Sequence, residues 1–315
     1  MLKDYLQLFR VPNIFTVPPD ILGGYFVTAI NNVPSINYFD AFLLVFSSIF
    51  LYVGGLVTND LFDIHKDKIE RPNRPLSSGK IKKSTAVLLS ALFFGVGVFL
   101  SSLLTLTSTL ISVFLVVMIL LYNYKLKNGL TRPFLMGGIR SLNVIYGASC
   151  NMGFLNSLNE PADAVYVYMA LTNMLVLAIA VFIHVFTLTF LSTRETQQDD
   201  KSLIERPLNL KRVYVCYLLL FTIIYLLGVH YLPNKLLFSI FFVSFLLLLT
   251  VLFYNKIRKR QYGFEDAQFL VKNMIVLLIA LDSSFVAGSS GIYFGILSIG
   301  MIIPCVITGK KVQMT

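Results

Sequence analysis

Tryptophan is absent from this chain, and the side chains that most often bind metals are scarce: 315 residues include three histidines and three cysteines. Cys150, Cys216 and Cys305 all lie in apolar stretches, and their spacing matches neither a metal site nor a pairing pattern, so we expect small packing residues. Charged residues are also few, at 13%, against roughly 25% in soluble domains. With 56% hydrophobic residues and a mean hydropathy of +0.76, this composition excludes a soluble globular core and indicates a multi-pass membrane protein.

Ten apolar runs are long enough to cross a bilayer, which takes about 20 residues for a helix. Strands of a membrane β-barrel alternate apolar and polar residues, and these runs show no such alternation. The sequence therefore predicts an all-α polytopic bundle of about nine to ten transmembrane helices, in a single domain covering residues 1–315. The runs lie near residues 12–31, 38–60, 84–106, 108–124, 133–155, 165–192, 211–232, 235–254, 265–286 and 288–308.

The chain has a net charge of +10, and its positive residues lie mainly in every second loop between these runs. Most lysines and arginines lie near residues 61–83, 125–132, 193–212 and 255–260, whereas the intervening loops have almost none. This is the positive-inside pattern of membrane proteins. It predicts that the N-terminus and the two long polar loops, near 59–83 and 192–212, are cytoplasmic. Because membrane topology explains where the basic residues lie, they do not indicate nucleic-acid binding. We expect a lipid bilayer around the protein and no nucleic-acid partner.

A polar cluster follows the second apolar run, at residues 59–67 (NDLFDIHKD). On a helix that turns about 100° per residue, Asn59, Asp60, Asp63 and Asp67 fall within an arc of roughly 100°. Oxygen ligands without cysteine or clustered histidine suit a hard cation such as Mg²⁺, and Mg²⁺ held by few carboxylates keeps positions for substrate phosphates. The cluster therefore predicts a metal–diphosphate site at a membrane surface. The alternative is a solvated helix end whose acids are offset by nearby basic residues.

Basic side chains near this cluster are candidates for the remaining diphosphate contacts. Arg71 and Arg74 follow it closely and can donate to phosphate oxygens as planar, bidentate groups. A stretch that begins at Tyr122 and contains Lys125 and Lys127 follows the fourth run, and one lysine, Lys127 ahead of Lys125, can reach back as a point charge. The alternative for these lysines is topological, since positive residues anchor helix ends.

A second acidic pair lies in the other long cytoplasmic loop, after the sixth run. Glu195 and Asp199 are four residues apart, so a continuing helix would place them on one face. There they would hold a second Mg²⁺ opposite the first, and two cations together would neutralise a diphosphate. Taken alone, this loop is better described as a solvated cytoplasmic turn, and the metal role is favoured by its pairing with the first cluster at a matching position in the topology.

Charged and polar residues also occur inside the apolar runs, where they are expensive and usually face a cavity or a partner helix. Arg140 and Asn143 in the fifth run are three residues apart and share a helix face. They either form a pocket wall or make structural hydrogen bonds to another helix. Asp20 in the first run either faces the acceptor pocket or pairs with Arg140. For Asp282 in the ninth run, we expect a contact to another helix.

The motif Asn-Asp-x-x-Asp-x-x-x-Asp at residues 59–67 resembles the first motif of the UbiA superfamily of intramembrane prenyltransferases, and every motif position matches. Its continuation at residues 67–79 (DKIERPNRPLSSG) is similar to the loop of the archaeal digeranylgeranylglyceryl phosphate synthase and chlorophyll synthase branches. Residues 122–127 and 138–140 also fit family patterns. The second motif departs from the usual Asp-x-x-x-Asp, because Glu195 replaces its first aspartate.

The resemblance implies a helical bundle around a central cavity and an enzyme that transfers a polyprenyl group, such as geranylgeranyl, from its diphosphate to a lipid or aromatic acceptor. It implies Mg²⁺ as the cofactor, with ligands from Asn59, Asp63, Asp67, Glu195 and Asp199. Catalysis would involve Asp63, Asp67, Asp199 and Lys127. Substrate or diphosphate contacts would come from Asn59, Asp60, Arg71, Arg74, Tyr122, Lys125, Arg140 and Asn143.

The acceptor is left open by these patterns. An archaeal-type reaction would use a glycerol-phosphate lipid precursor, and a quinone-pathway reaction would use an aromatic ring. Two further classes are also open: a non-catalytic lipid-binding or transport protein with the same fold, favoured by the altered second motif, and a membrane phosphatase that hydrolyses the diphosphate.

Overall fold

The computed structural model describes residues 2–29, 36–124, 129–156, 161–192, 209–257, 264–310 and 312, and all regular structure within these ranges is helical. The first part of the chain forms α1 (Leu2–Leu8), α2 (Val11–Ile14), α3 (Val17–Thr28), α4 (Tyr38–Phe62), α5 (Ile64–Glu70), α6 (Lys83–Ser102), α7 (Leu106–Tyr124) and α8 (Thr131–Ala148). A 3₁₀ segment at Ser149–Asn156 leads to α9 (Pro161–Ser192), α10 (Leu210–Tyr231), α11 (Lys235–Ile257), α12 (Phe264–Ser290), α13 (Ile292–Gly300) and α14 (Ile302–Gly309).

Within the described part of the chain, eight helical segments are long and apolar enough to cross a membrane, with α13 and α14 counted together. The other two predicted runs correspond to α3 and α8. The first run is broken into α2 and α3, each of which has proline in its first turn, because proline lacks the N–H that a continuous helix needs. α8 contains two arginines, which lower its hydropathy. The predicted all-α membrane bundle is confirmed, and the eight candidate spans among the described residues agree roughly with the nine to ten predicted.

The central layer of the bundle is formed by α3, α8, α9 and α12, which pack against one another. In the most apolar stretch of each helix, 72% of α12 and 61% of α9 is buried inside the bundle, against 22% of α6 and of α10. α4, α6 and α7 cover one side, and α10 and α11 cover the other. The outer helices expose leucine, isoleucine and phenylalanine along their lengths, so their outer surface suits lipid tails. The central layer contributes the buried polar residues Asp20, Asn143, His184 and Asp282.

α3 and α8 cross with their backbones in close contact. A Cβ atom added to Gly24 of α3 would overlap the carbonyl oxygen of Val144, and one added to Gly147 of α8 would overlap that of Ile21. Small residues at a helix crossing allow this approach in membrane bundles. The crossing fixes the polar residues of α3 next to those of α8.

Replacement of Gly147 with alanine is expected to lower the free energy of unfolding by about 1–3 kcal/mol, the usual scale for overpacking. Gly138 provides a matched control on the same helix, because its added Cβ would meet no atom within 4 Å. Gly138→Ala is expected to be neutral or slightly stabilising, since alanine favours helix. Thermal unfolding in detergent would compare the two variants, and equal melting temperatures would contradict the close crossing.

Candidate active site

The acidic cluster lies at a break between two helices. α4 ends at Phe62, Asp63 has φ −87° and ψ 2°, and α5 begins at Ile64. The hydrogen-bond ladder nevertheless continues: the Asp63 N–H donates to the Asn59 carbonyl at 3.0 Å, and the Asp67 N–H donates to the Asp63 carbonyl at 2.8 Å. The four-residue spacing therefore survives the break. Asn59, Asp63 and Asp67 line one polar cavity of about 300 Å³.

Asp60 takes a different position from its neighbours in the motif. It is buried, and its Oδ1 accepts hydrogen bonds from Arg10 Nη2 at 2.7 Å and from Arg74 Nη1 at 3.3 Å. The same Arg74 nitrogen donates to Asp67 Oδ2 at 2.7 Å. Two guanidinium groups and two carboxylates thus form one network, in which opposite charges are balanced. The network ties the N-terminal segment and the loop after α5 to the end of α4.

Arg10 is a site residue that the sequence patterns did not single out. Its backbone is left-handed, with φ 43° and ψ 55°, a conformation that costs energy for a residue other than glycine. Burial is the largest single influence on the pKa of the Arg10 guanidinium and would lower it, but the Asp60 and Asp67 carboxylates and the Tyr52 phenol together raise it. The side chain therefore stays charged at the cavity wall. An arginine before the first apolar run looks like a topological anchor, which is why no local signal identified it.

A second cavity of about 250 Å³ extends from the first into the bundle. Most of its surface is apolar and comes from side chains of α4, α8, α9 and α12, such as Leu56, Ile139 and Val185, although four arginines also line it. Four residues line both cavities: Arg10, Arg71, Tyr122 and Arg132. A charged compartment and an apolar compartment therefore meet at an arginine-rich junction.

Arg140 faces the second cavity and is held by residues of α3 and by the segment just before it. Its Nη1 pairs with Asp20 Oδ2 at 2.9 Å, and its Nη2 donates to the hydroxyl and the carbonyl of Thr16. Asn143 Nδ2 donates to the same Asp20 oxygen at 3.1 Å, and Ser48 Oγ donates to Asn143 Oδ1 at 2.6 Å. Of the two alternatives for Asp20, the structure shows the pairing with Arg140. Asn143 orients this pair from behind the cavity wall.

Four predicted site residues lie outside the described residues: Lys125, Lys127, Glu195 and Asp199. Described residues close to each of these segments line the cavities. Tyr122, near the lysines, lines both cavities, and Ser192, just before the second acidic pair, lines the apolar one.

The oxygen donors of the first cavity fit a hard divalent cation. Asn59 supplies an amide, and Asp63 and Asp67 supply carboxylates; Asp67 Oδ2 also accepts a hydrogen bond from Arg74. Among the described residues, no three histidine, cysteine, aspartate or glutamate side chains converge as a complete metal cage. A partial set of oxygen ligands is what Mg²⁺ uses when substrate phosphates complete its coordination. Basic residues in the same wall suit the anion that would accompany such a cation.

The sequence profile of the UbiA prenyltransferase family matches residues 17–279 of the chain. Digeranylgeranylglyceryl phosphate synthase of Sulfurisphaera tokodaii is 36% identical over 146 residues, which are 46% of this chain and 51% of that protein. The synthase of Methanocaldococcus jannaschii is 39% identical over 100 residues, 32% of this chain and 34% of that protein. The chain thus spans about half, or less, of the length of the curated relatives it matches.

Solved structures agree with the chain over most of its length. A UbiA homologue from Archaeoglobus fulgidus bound to GPP and Mg²⁺ superposes with a TM-score of 0.63 at 16% identity, covering 94% of this chain and 99% of that one. A structure of digeranylgeranylglyceryl phosphate synthase gives 0.60 at 22% identity, with 92% and 99% covered. At these identities, the likeness is one of fold.

Proposed function

The chain belongs to the UbiA prenyltransferase family, and on this basis we propose that it transfers a polyprenyl group from a polyprenyl diphosphate to an acceptor within the membrane. The observation that carries the proposal is the junction of a polar, arginine-lined cavity with an apolar cavity in the bundle. A polyprenyl diphosphate has the same division, with a charged head and a long apolar tail. The diphosphate would lie at the end of α4, and the isoprenoid would lie among the aliphatic side chains.

In this proposal, the polar cavity holds the diphosphate while the bond between its oxygen and the first prenyl carbon breaks. Mg²⁺ would be held by Asn59, Asp63 and Asp67 on one side and by Glu195 and Asp199 on the other, and it would neutralise the charge that develops on the leaving group. Lys125 and Lys127 would add cationic contacts. Arg71 and Arg74 would donate to phosphate oxygens that the metal does not reach.

The apolar cavity would protect the allylic cation that remains after the diphosphate leaves. Tyr52 and Tyr122 line this cavity, and an aromatic face stabilises a desolvated cation by on the order of 1–2 kcal/mol. The aliphatic walls exclude water, which would otherwise capture the cation. The acceptor atom would then form the new bond to carbon, and its proton would pass to an oxygen of the departed diphosphate. The chain supplies orientation and exclusion of water rather than a covalent intermediate.

We propose geranylgeranyl diphosphate as the donor and a glycerol-phosphate lipid precursor as the acceptor, by similarity to the digeranylgeranylglyceryl phosphate synthases. We also propose that the N-terminus and the loops near 59–83 and 192–212 face the cytoplasm, from the distribution of positive charge. An aromatic acid is the alternative acceptor, and the same experiment tests both.

The experiment uses the purified full chain in lipid with Mg²⁺ and radiolabelled geranylgeranyl diphosphate. Geranylgeranylglyceryl phosphate and an aromatic hydroxy acid are offered in parallel. We expect a labelled product with the glycerol phosphate, and its loss when a chelator removes Mg²⁺. Free geranylgeraniol formed without acceptor would indicate a hydrolase instead. Tight diphosphate binding without product from either acceptor would favour the non-catalytic lipid-binding alternative.

A further inference from the structure

The arginines that line the two cavities differ in how their charge is balanced. Arg10 pairs with Asp60 at 2.7 Å, Arg74 with Asp67 at 2.7 Å, and Arg140 with Asp20 at 2.9 Å. Each of these guanidinium groups is therefore neutralised by a carboxylate. A fourth arginine that lines these cavities, Arg132, is not.

Within the described part of the chain, Arg132 has no carboxylate at salt-bridge distance, and its Nε is buried without a hydrogen-bond partner. A guanidinium remains protonated under all ordinary conditions, so this N–H cannot lose its charge to reduce the cost. A buried donor without a partner, above all one on a charged group, is expensive. An anionic ligand would remove that cost.

The position of Arg132 indicates where this ligand would bind. Arg132 lines both cavities, beside the buried Tyr122 side chain, to whose hydroxyl it is hydrogen-bonded. It is the second residue of the 18-residue helix α8, so the positive end of the helix dipole makes the electrostatic potential around it more positive. The polar wall opposite carries Asn59 and Asp63. A phosphate held by Arg132 would therefore lie between the metal-binding cluster and the apolar cavity.

We propose that Arg132 binds a phosphate group at the junction of the two cavities and so fixes the charged part of a substrate relative to the residue 59–67 cluster. This inference rests on the proposed function. Two substrates offer the same chemistry, because the donor carries a diphosphate and a glycerol-phosphate acceptor carries a phosphate. Arg132 then acts by direct contact with a substrate and not only as a positive anchor at the start of α8.

The test compares Arg132→Gln and Arg132→Lys with the parent chain. Arg212→Gln is the matched control, since Arg212 is exposed at the start of α10 and lines neither cavity. The first measurement is calorimetric binding of inorganic pyrophosphate and of glycerol phosphate, in the presence of Mg²⁺. We expect Arg132→Gln to weaken one of them by roughly tenfold to a hundredfold, the scale of a charged hydrogen bond. Lysine, which lacks the planar fork, should restore only part of this affinity.

The second measurement separates the two sources. A rise in the KM for geranylgeranyl diphosphate alone places the donor diphosphate on Arg132, and a rise for the acceptor alone places the acceptor phosphate there. Unchanged affinities for both probes in Arg132→Gln, with both KM values within about twofold of the parent chain, would overturn the proposal. So would a parent chain that binds neither probe. If the parent chain binds a probe but transfers no prenyl group, the proposed function fails, and the binding arm still decides the role of Arg132.

Discussion

Replacement of Asp63 with alanine is expected to lower the rate of prenyl transfer by at least about a hundredfold, the scale lost when one preorganised electrostatic contact is removed from a site. Asp63 lies at the break between α4 and α5 and lines the polar cavity between Asn59 and Asp67. Asp60, its neighbour in the motif, forms ion pairs with Arg10 and Arg74. Asp63 is therefore one of the carboxylates on which the proposed metal–diphosphate contact depends.

Initial rates at saturating substrate would measure this loss, and a titration with Mg²⁺ would identify its cause. Asp63→Asn keeps the size and one oxygen of the side chain, so we expect it to need a higher Mg²⁺ concentration for its half-maximal rate. Asp40→Ala, in the first turn of the same helix, is the control and should leave the rate unchanged. If Asp63→Ala retained the parent rate, a metal-dependent departure of diphosphate at this cluster would be wrong, and a transport or lipid-binding role would be favoured.

The bundle could be predicted from composition and hydropathy because each span must satisfy its own backbone in the membrane. Helix breaks depend on finer detail. The apolar run at 12–31 contains two short helices, because its prolines interrupt the helix while leaving the hydropathy high. The left-handed Arg10 precedes the first of them. The motif at 59–67 has the spacing of a continuous helix, yet α4 stops at Phe62. The helical spacing correctly predicted that Asn59, Asp63 and Asp67 share a cavity, but it did not predict the helix break at Asp63.

The partners of charged residues were beyond the reach of sequence patterns, since they come from distant segments. Asp60 belongs to the same predicted arc as Asp63, but Arg10 and Arg74 draw it into a separate network. Asp20 and Arg140 are 120 residues apart, and only the close crossing of α3 and α8 brings them together. Basic residues at helix ends are explained equally well by topology, so the patterns gave no reason to choose those that face a cavity.

The membrane interior contains two carboxylates near one guanidinium, and this imbalance leads to a second prediction. Asp282 of α12 is fully buried and lies beside Asp20, close enough for the two carboxyl groups to share a hydrogen bond. Asp20 also accepts from Arg140 and Asn143. In a medium of low dielectric, a charged Asp20 stabilises the cation, whereas a second negative charge beside it would be repelled, so the two carboxyl groups share one proton and one negative charge.

Asp20→Asn is therefore expected to lower the free energy of unfolding by about 3–5 kcal/mol, because it leaves the buried Arg140 without its counter-charge. Asp282→Asn makes the same chemical change in the same polar cluster, yet it should leave stability nearly unchanged, since the asparagine amide can donate a hydrogen bond to Asp20 in place of the shared proton. Reversible unfolding in a denaturing detergent would measure both. The double variant Asp20→Asn with Arg140→Gln should recover part of the loss, because neither charge then remains buried alone. A large loss for Asp282→Asn, equal to that of Asp20→Asn, would mean that α12 contributes a charge that the cluster requires. A small loss for both would mean that solvent reaches Arg140 through the cavity it lines.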